Sequence, residues 1–397
     1  MPLFARATVF TALCSVAAAA QTPVTRSDAV AAALERGARA AVARADTLVG
    51  AAQLLTARQW ENPSLSLTYS KSLPKYHEIV DLPIDLFGVR SARIGSAQAS
   101  RLASQYRFRF ERAAAALDAD TTYTRALAAQ EHLRLSRRNA RDADSLRRMS
   151  VVRRDAGDAS ELDVLLANVN AGQAANQEAS DSLTYVSTLF DLQTVMGLDS
   201  GRVAIAPVDS LVAPSAASAA SSARALPVVA AEQSLTAADL SVRAQRRSMF
   251  TPLSIQAGVE HGDPSEPGIL PTFGVSIPLP VLNRNRAGIA QAEAERERAK
   301  AELSLVRFET QAAIGRASRA RSLALEKIQR DRVLVESAGR IAAMSLTAYR
   351  EGAQGLPAVL EAQRNAREIL SQYIDDLAEA WIATATLRLY NLDTTGQ

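Results

Sequence analysis

Cysteine is all but missing from this chain: Cys14 is the only one among 397 residues. One thiol near the N-terminus can build neither a disulfide framework nor a thiolate metal site. Histidine is nearly as scarce, and His77, His132 and His261 are the full set. They come without an H-E-x-x-H pair or a Gly-rich phosphate loop. The acids are scattered along long polar stretches, which are poor places for a dry, pre-organised site. An enzyme is therefore not expected, nor a bound cofactor or metal. Met149, Met196, Met249 and Met344 are dispersed and add no soft-metal cluster. Aromatic residues are few, 5% against 48% apolar in all, so alanine carries much of the apolar content. Such a composition favours long, closely packed helices over a thick core. No segment after the N-terminus gives about 18 uninterrupted apolar residues, so no transmembrane helix is expected. Neither sign of charge dominates: the net charge of +3 is too small for a nucleic-acid footprint, and its charges are interspersed as on a solvated surface.

The first 20 residues read as a secretory signal. Arg6 gives the positive start, residues 7–18 are largely apolar, and Ala18-Ala19-Ala20 precedes Gln21. Cleavage there would remove Cys14. Leu13 stands where a lipoprotein signal wants a small residue, which argues against lipidation of Cys14. Export without disulfides or a helical anchor leaves the periplasm, the outside, or an outer membrane crossed by β-strands.

What is present is present twice. Leu82-Pro83-Ile84, Ile94, Ala97 and Ala99 recur as Ile277-Pro278-Leu279, Ile289, Ala292 and Ala294, at a constant offset of 195 residues (83 to 278, 94 to 289). The offset still holds downstream, where Gly157, Val164, Leu165 and Ala167 match Gly352, Val359, Leu360 and Ala362. A long repeat means a duplicated structural unit whose copies bury their apolar faces together. Repeat 1 (21–200) reads as a helix over 26–58, a β-hairpin at 64–87 and a long helical hairpin at 89–196. After a Ser/Ala-rich linker at 201–225, repeat 2 (226–397) gives a helix, a hairpin at 252–282 and a helical hairpin at 285–392.

The periods support these assignments. Leu65, Leu67 and Tyr69 alternate with serines and Thr68, and Val80, Leu82, Ile84 and Leu86 alternate with Asp81, Pro83 and Asp85. Leu253, Ile255, Ala257 and Val259, then Phe273, Val275, Ile277, Leu279 and Val281, repeat the alternation. Each hairpin thus has one greasy and one polar face. The helical stretches from about 89 to 155 and 285 to 351 would each span on the order of 100 Å, which demands lateral partners. Gly157 and Gly352 suit left-handed C-caps, and Ser160 with Asp163 resembles a capping box. Four amphipathic strands cannot satisfy their edges in lipid, and known barrels need about eight. Three copies would give twelve strands around a polar lumen.

The hairpin-to-helix segment GVSIPLPVLNRNRAGIAQAEA at 274–294, its partner at 82–99, and the tip segments 157–167 and 352–362 together resemble the TolC-type outer-membrane efflux factors over essentially the whole mature sequence. The second signature is most similar to the cation-efflux branch. The resemblance implies a mainly α protein with a membrane β-barrel portion, four strands per protomer. It also implies a homotrimer with a twelve-stranded barrel in the outer membrane on a long periplasmic α-barrel. Such a protein is a passive exit duct for metal cations or small toxic compounds, served by a periplasmic adaptor and an inner-membrane pump.

Carried over by position, Asp163 and Glu361 match acidic gating residues at the periplasmic mouth. The plainer alternative is a helix-start cap for Asp163 and a solvated first-turn acid for Glu361, both favoured by the helix dipole. Ala358 replaces an acid the family sometimes has, which speaks against a double acidic ring. Gly157, Leu165, Gly352 and Leu360 are candidates for the tip turn and adaptor contact. Asp81 and Asp85 are candidates for the barrel lumen, and Trp60 and Phe250 for the lipid boundary or for packing at the barrel-to-helix junction. Pro83, Pro278 and Pro280 interrupt the strand pattern and suggest that the strands stop early. The rival reading is a periplasmic adaptor or another soluble coiled-coil scaffold. Its hairpins would need their apolar faces covered by a further sheet.

Overall fold

A computed structural model describes residues 22–199, 204–215, 225–249, 253–277 and 284–390. The expected signal sequence, linker residues 201–203 and 216–224, Phe250, Pro278 and Pro280 lie outside the described residues. Strand β1 (Thr22–Val24) leads into α1 (Arg26–Arg36) and α2 (Ala38–Arg58), followed by β2 (Ser64–Tyr69) and β3 (Tyr76–Ile84). Next come α3 (Val89–Asp155), α4 (Glu161–Met196), β4 (Ile205–Pro207) and α5 (Leu226–Arg247). The chain closes with β5 (Leu253–His261), β6 (Leu270–Ser276), α6 (Arg286–Arg350) and α7 (Leu356–Tyr390). The offset of 195 residues reappears in the element ends: α3 stops at Asp155 and α6 at Arg350, while α4 starts at Glu161 and α7 at Leu356.

Local chemistry sets these ends. Thr25 caps α1 in a capping box with Asp28, and Ser160 does the same for α4 with Asp163. The stretch 26–58 is not one helix but two. It breaks at Gly37 (φ −59°, ψ 134°), a residue whose backbone freedom makes it a poor helix former. The two longest helices, 67 and 65 residues, end in the same way. Gly157 (φ 85°) and Gly352 (φ 77°) take the left-handed conformation. The N–H of Asp158 then reaches back to Arg153 O at 2.8 Å, and that of Ala353 to Ala348 O at 2.9 Å. These are Schellman closures of the orphan carbonyls.

The strands form one four-stranded antiparallel sheet in the order β2-β3-β5-β6, so the two repeats meet between β3 and β5. Helix packing follows the same plan: α2 lies on α3, α3 on α5 and α5 on α6, while α4 pairs with α3 and α7 with α6. Pro83 stays within β3 but beyond the last β2 pairing, Ser64 with Asp81. Short β1 and β4 pair in parallel as a separate two-stranded sheet.

Burial is concentrated in small patches. One core joins Val24, Ala29, Tyr123, Leu127, Leu192 and Ile205, where the N-terminal strand meets α3 and α4. The Tyr123 hydroxyl donates to Val24 O at 2.9 Å, and burial pushes its pKa up to about 12. Beside it the Arg26 guanidinium pairs with Asp120 and lies 4.2 Å over the Trp381 ring, pinning α1 to α3 and α7. A second core at the far end joins Leu146 and Ala167 of repeat 1 to Tyr349, Leu356 and Val359 of repeat 2. A third, between α6 and α7, contains Ala324, Ile328, Leu377 and Ala380.

Candidate functional site

Two places on this frame hold the candidate residues: the sheet, and the tips of the helical hairpins. Residues directly opposed across antiparallel strands point to the same face. Register therefore puts Leu65, Leu67, Val80, Leu82, Ile255, Phe273 and Val275 on one face. The other face carries Ser66, Thr68, Asp81, Gln256, Thr272 and Ser276. The apolar face is bare: Leu67 is 70% exposed and Phe273 80%. No described strand or helix covers it. A large exposed apolar surface marks a partner or a membrane. At the hairpin end of that face, Tyr76 stacks on His261 with ring centroids 4.9 Å apart and meets a tilted Tyr69 at 5.4 Å.

Asp81 projects from the polar face, where its carboxylate accepts from Gln256 Nε2 at 2.6 Å. Asp85, the other lumen candidate, lies past the end of β3. Its two oxygens accept from the N–H groups of Val89 and Arg90, each at 2.8 Å. The period-two pattern runs on past the strand, and the Asp85 carboxylate anchors the first turn of α3. Trp60 is 65% exposed at the same junction, with the Arg90 guanidinium 4.2 Å over its ring.

At the tips, Gly157 and Gly352 make the turns described above. Leu165 is exposed on the outside of α4, while Leu360 packs against the tip core. The Asp163 carboxylate is occupied as a cap, accepting from Ser160 N at 3.1 Å and Ser160 Oγ at 2.9 Å. Glu361 is exposed, one turn into α7. Sequence reasoning missed the residue that joins the two tips. Arg153, at the end of α3, donates to Tyr349 O at the end of α6 and lies 4.7 Å over the Tyr349 ring. A charge-assisted hydrogen bond of this kind contributes about 1.5–3 kcal/mol, and the ring contact about 0.5–1. The offset could not reveal it, because the equivalent of Arg153 in repeat 2 is Ala348.

Each histidine faces one carboxylate: His77 Nδ1 lies 3.1 Å from Glu260, His261 Nε2 3.7 Å from Glu78, and His132 Nε2 2.9 Å from Asp375. These are pairs; among the described residues no three metal-ligating side chains converge. No described helix is long and apolar enough to cross a membrane.

The sequence matches the outer membrane efflux protein family over residues 29–198 and 218–392, one segment for each repeat. The chain belongs to the outer membrane efflux protein family. No curated protein shows significant sequence similarity to it. Among solved structures, the CmeC outer membrane channel of Campylobacter jejuni is similar at 16% identity and a TM-score of 0.80, over 94% of this chain and 87% of that one. A membrane protein from Pseudomonas aeruginosa is similar at 20% identity and a TM-score of 0.75, over 92% and 93%. The outer membrane protein VceC from Vibrio cholerae is similar at 13% identity and a TM-score of 0.75, over 93% and 96%. At these identities the likeness shows the fold: a mainly helical chain in two repeats, carrying a small antiparallel sheet. As an outer membrane efflux protein, the chain has its sheet in the outer membrane and its long helices outside the bilayer. The adaptor or soluble-scaffold alternative falls with that finding.

Proposed function

We propose that three copies of the chain close their sheets into one twelve-stranded barrel and their long helices into a tube beneath it. The assembly is a passive exit duct through the outer membrane. An inner-membrane pump delivers the solute, and a periplasmic adaptor links pump and duct at the helical tips. One observation carries this reading. A sheet with a bare apolar face, a polar face and two unpaired edges is joined directly to helices of some 100 Å. Edges left open in lipid would strand backbone donors and acceptors, so the sheet has to close with other copies.

The exported solutes are metal cations or small toxic compounds. Three symmetry copies of Glu361 would ring the periplasmic mouth with negative charge and favour cations. Asp163, the other gate candidate, caps α4. Gly157, Leu165, Gly352 and Leu360 form the surface offered to the adaptor. Since Arg153 ties the two tips of one protomer, widening the mouth by moving one hairpin against the other means breaking that tie.

Membrane fractionation and planar-bilayer conductance test the proposal. Recovery from outer membranes as a detergent-stable trimer that conducts ions is expected, with Glu361→Gln lowering cation preference. Recovery as a soluble monomer from a periplasmic extract would reject the duct.

A further inference from the structure

The four helix ends next to the sheet in sequence share one chemistry. α2 ends on Arg58 and α5 on Arg246 and Arg247, while α3 has Arg90 in its first turn and α6 starts on Arg286, just after Arg284. An arginine in a last turn suits the helix dipole, but one in a first turn opposes it. Neither α3 nor α6 has an acid in its first turn, and neither N-cap residue, Gly88 or Asn285, supplies a side-chain cap. The duplication does not explain the pattern. At the offset of 195, Arg90 and Arg93 correspond to Asn285 and Gly288, and Arg284 and Arg286 to Val89 and Ser91. Each repeat puts positive charge at this level through different positions.

These arginines are held in place without being neutralised. Arg90 Nε and Nη2 donate to Arg58 O at 3.2 and 2.6 Å. Arg93 donates from Nε to Ala57 O at 3.3 Å and from Nη2 to Gln59 O at 3.1 Å. Those carbonyls close the end of α2, so both guanidinium forks are pre-organised on backbone and not on carboxylates. Arg247 Nη1 likewise donates to Gly88 O at 3.2 Å. Among the described residues, only Arg246 of this group has an acidic partner, Glu293 at 2.6 Å. Asp85, close by in the link from β3 to α3, has both oxygens on backbone N–H groups.

The sheet sets the level of this belt. At about 3.4 Å per residue and a barrel tilt of about 40°, an apolar band about 25 Å tall takes about ten residues of strand. Counted from Tyr76 at the hairpin end, the band closes at about residue 86. Leu86 and Phe87 are exposed there, Trp60 lies under the Arg90 guanidinium, and Arg90 and Arg93 follow within two turns. Apolar side chains, then an indole, then arginines is the layering of a membrane interface. We infer that the arginines of the junction bind the phosphate groups of anionic glycerophospholipids in the periplasmic leaflet. A guanidinium fork takes two phosphate oxygens at once. An anion held there also offsets the unfavourable meeting of first-turn arginine and helix dipole. The inference rests on the placement of the sheet in the outer membrane and not on the trimeric duct.

Native mass spectrometry of the full protein released from lipid nanodiscs tests this. The discs contain phosphatidylcholine with or without phosphatidylglycerol. The wild type should retain phosphatidylglycerol several-fold over phosphatidylcholine, and millimolar inorganic phosphate should not displace it. Arg90→Gln with Arg93→Gln, and separately Arg284→Gln with Arg286→Gln, remove charge from the two repeats in turn. Loss of the preference in either pair supports the inference, and an undiminished preference in both overturns it. Lys71→Gln with Lys75→Gln, at the opposite end of the sheet, should change nothing, and a loss there instead overturns it. Equal retention of the two lipids by the wild type overturns it even where no variant assembles. So does displacement by free phosphate, or an altered cation preference of bilayer conductance with lipid retention unchanged, which would turn the arginines to the lumen. Absence of conductance with lipid preference intact strikes the duct reading and leaves this one standing.

Discussion

Asp331 and Asp376 sit together on facing turns of α6 and α7, far from the membrane part. Asp376 is 1% exposed and accepts from Lys327 Nζ at 3.0 Å and Gln372 Nε2 at 3.1 Å. That leaves Asp331 half-buried beside an occupied carboxylate, with its Oδ2 enclosed and without a hydrogen-bond partner. Desolvation first, and then Asp376, raise its pKa above the ordinary 3.8, while Arg330 and Lys327 only partly oppose the shift. Glu379, 3.9 Å from Lys327, competes for the same cation. A carboxyl held more tightly protonated in the folded state stabilises fully in acid, and that stabilisation is lost as pH rises through its raised value. Asp331→Asn should therefore raise the unfolding temperature at neutral pH and flatten its dependence on pH above about 4. Thermal unfolding in detergent reads both effects. Nothing in the sequence announced this pair, because two aspartates on different helices meet only after those helices dock.

At the scale of elements, the glycines ending α3 and α6 are the most exacting positions. A Cβ at Gly157 would touch nothing within 4 Å, and one at Gly352 would meet only the Arg153 guanidinium at 3.6 Å. The constraint is therefore the backbone angle and not space. Gly157→Ala and Gly352→Ala should each destabilise by about 1–2 kcal/mol, the usual strain of a left-handed L-residue. Asn at either place should be milder. Denaturant midpoints of the detergent-solubilised protein measure the difference, and protease sensitivity at the tips should rise with it. These turns were legible because a glycine closing a long helical period, followed by a capping serine or a first-turn proline, is a local signal. The break at Gly37 and the three-residue strands β1 and β4 were not, since so short a departure leaves no period to read.

On the scale of the whole molecule, the sheet decides where the protein lives. Phe273 and Thr272 are neighbours in β6 but point to opposite faces. A cationic side chain on the lipid face of a barrel costs about 2–4 kcal/mol near the bilayer midplane, while the lumen face tolerates it. Phe273→Arg should therefore reduce the amount assembled in outer membranes, and Thr272→Arg should leave assembly intact while altering conductance. Heat-modifiable trimer bands and single-channel records distinguish the two. Equal loss from both variants would mean that the faces have been misassigned.

The sequence by itself determined the duplication, the long helices and the two-faced strands. Each of these rests on a period or an offset that neighbouring residues carry. It also placed Asp81 on the polar face, through its position in that alternation. Only the tertiary structure decided that β3 lies beside β5, that Asp85 serves a helix, and that Arg153 holds the tips together. Contacts between segments so far apart in the chain are chosen by docking, when two surfaces compete to bury area and satisfy hydrogen bonds, and no local pattern records the winner.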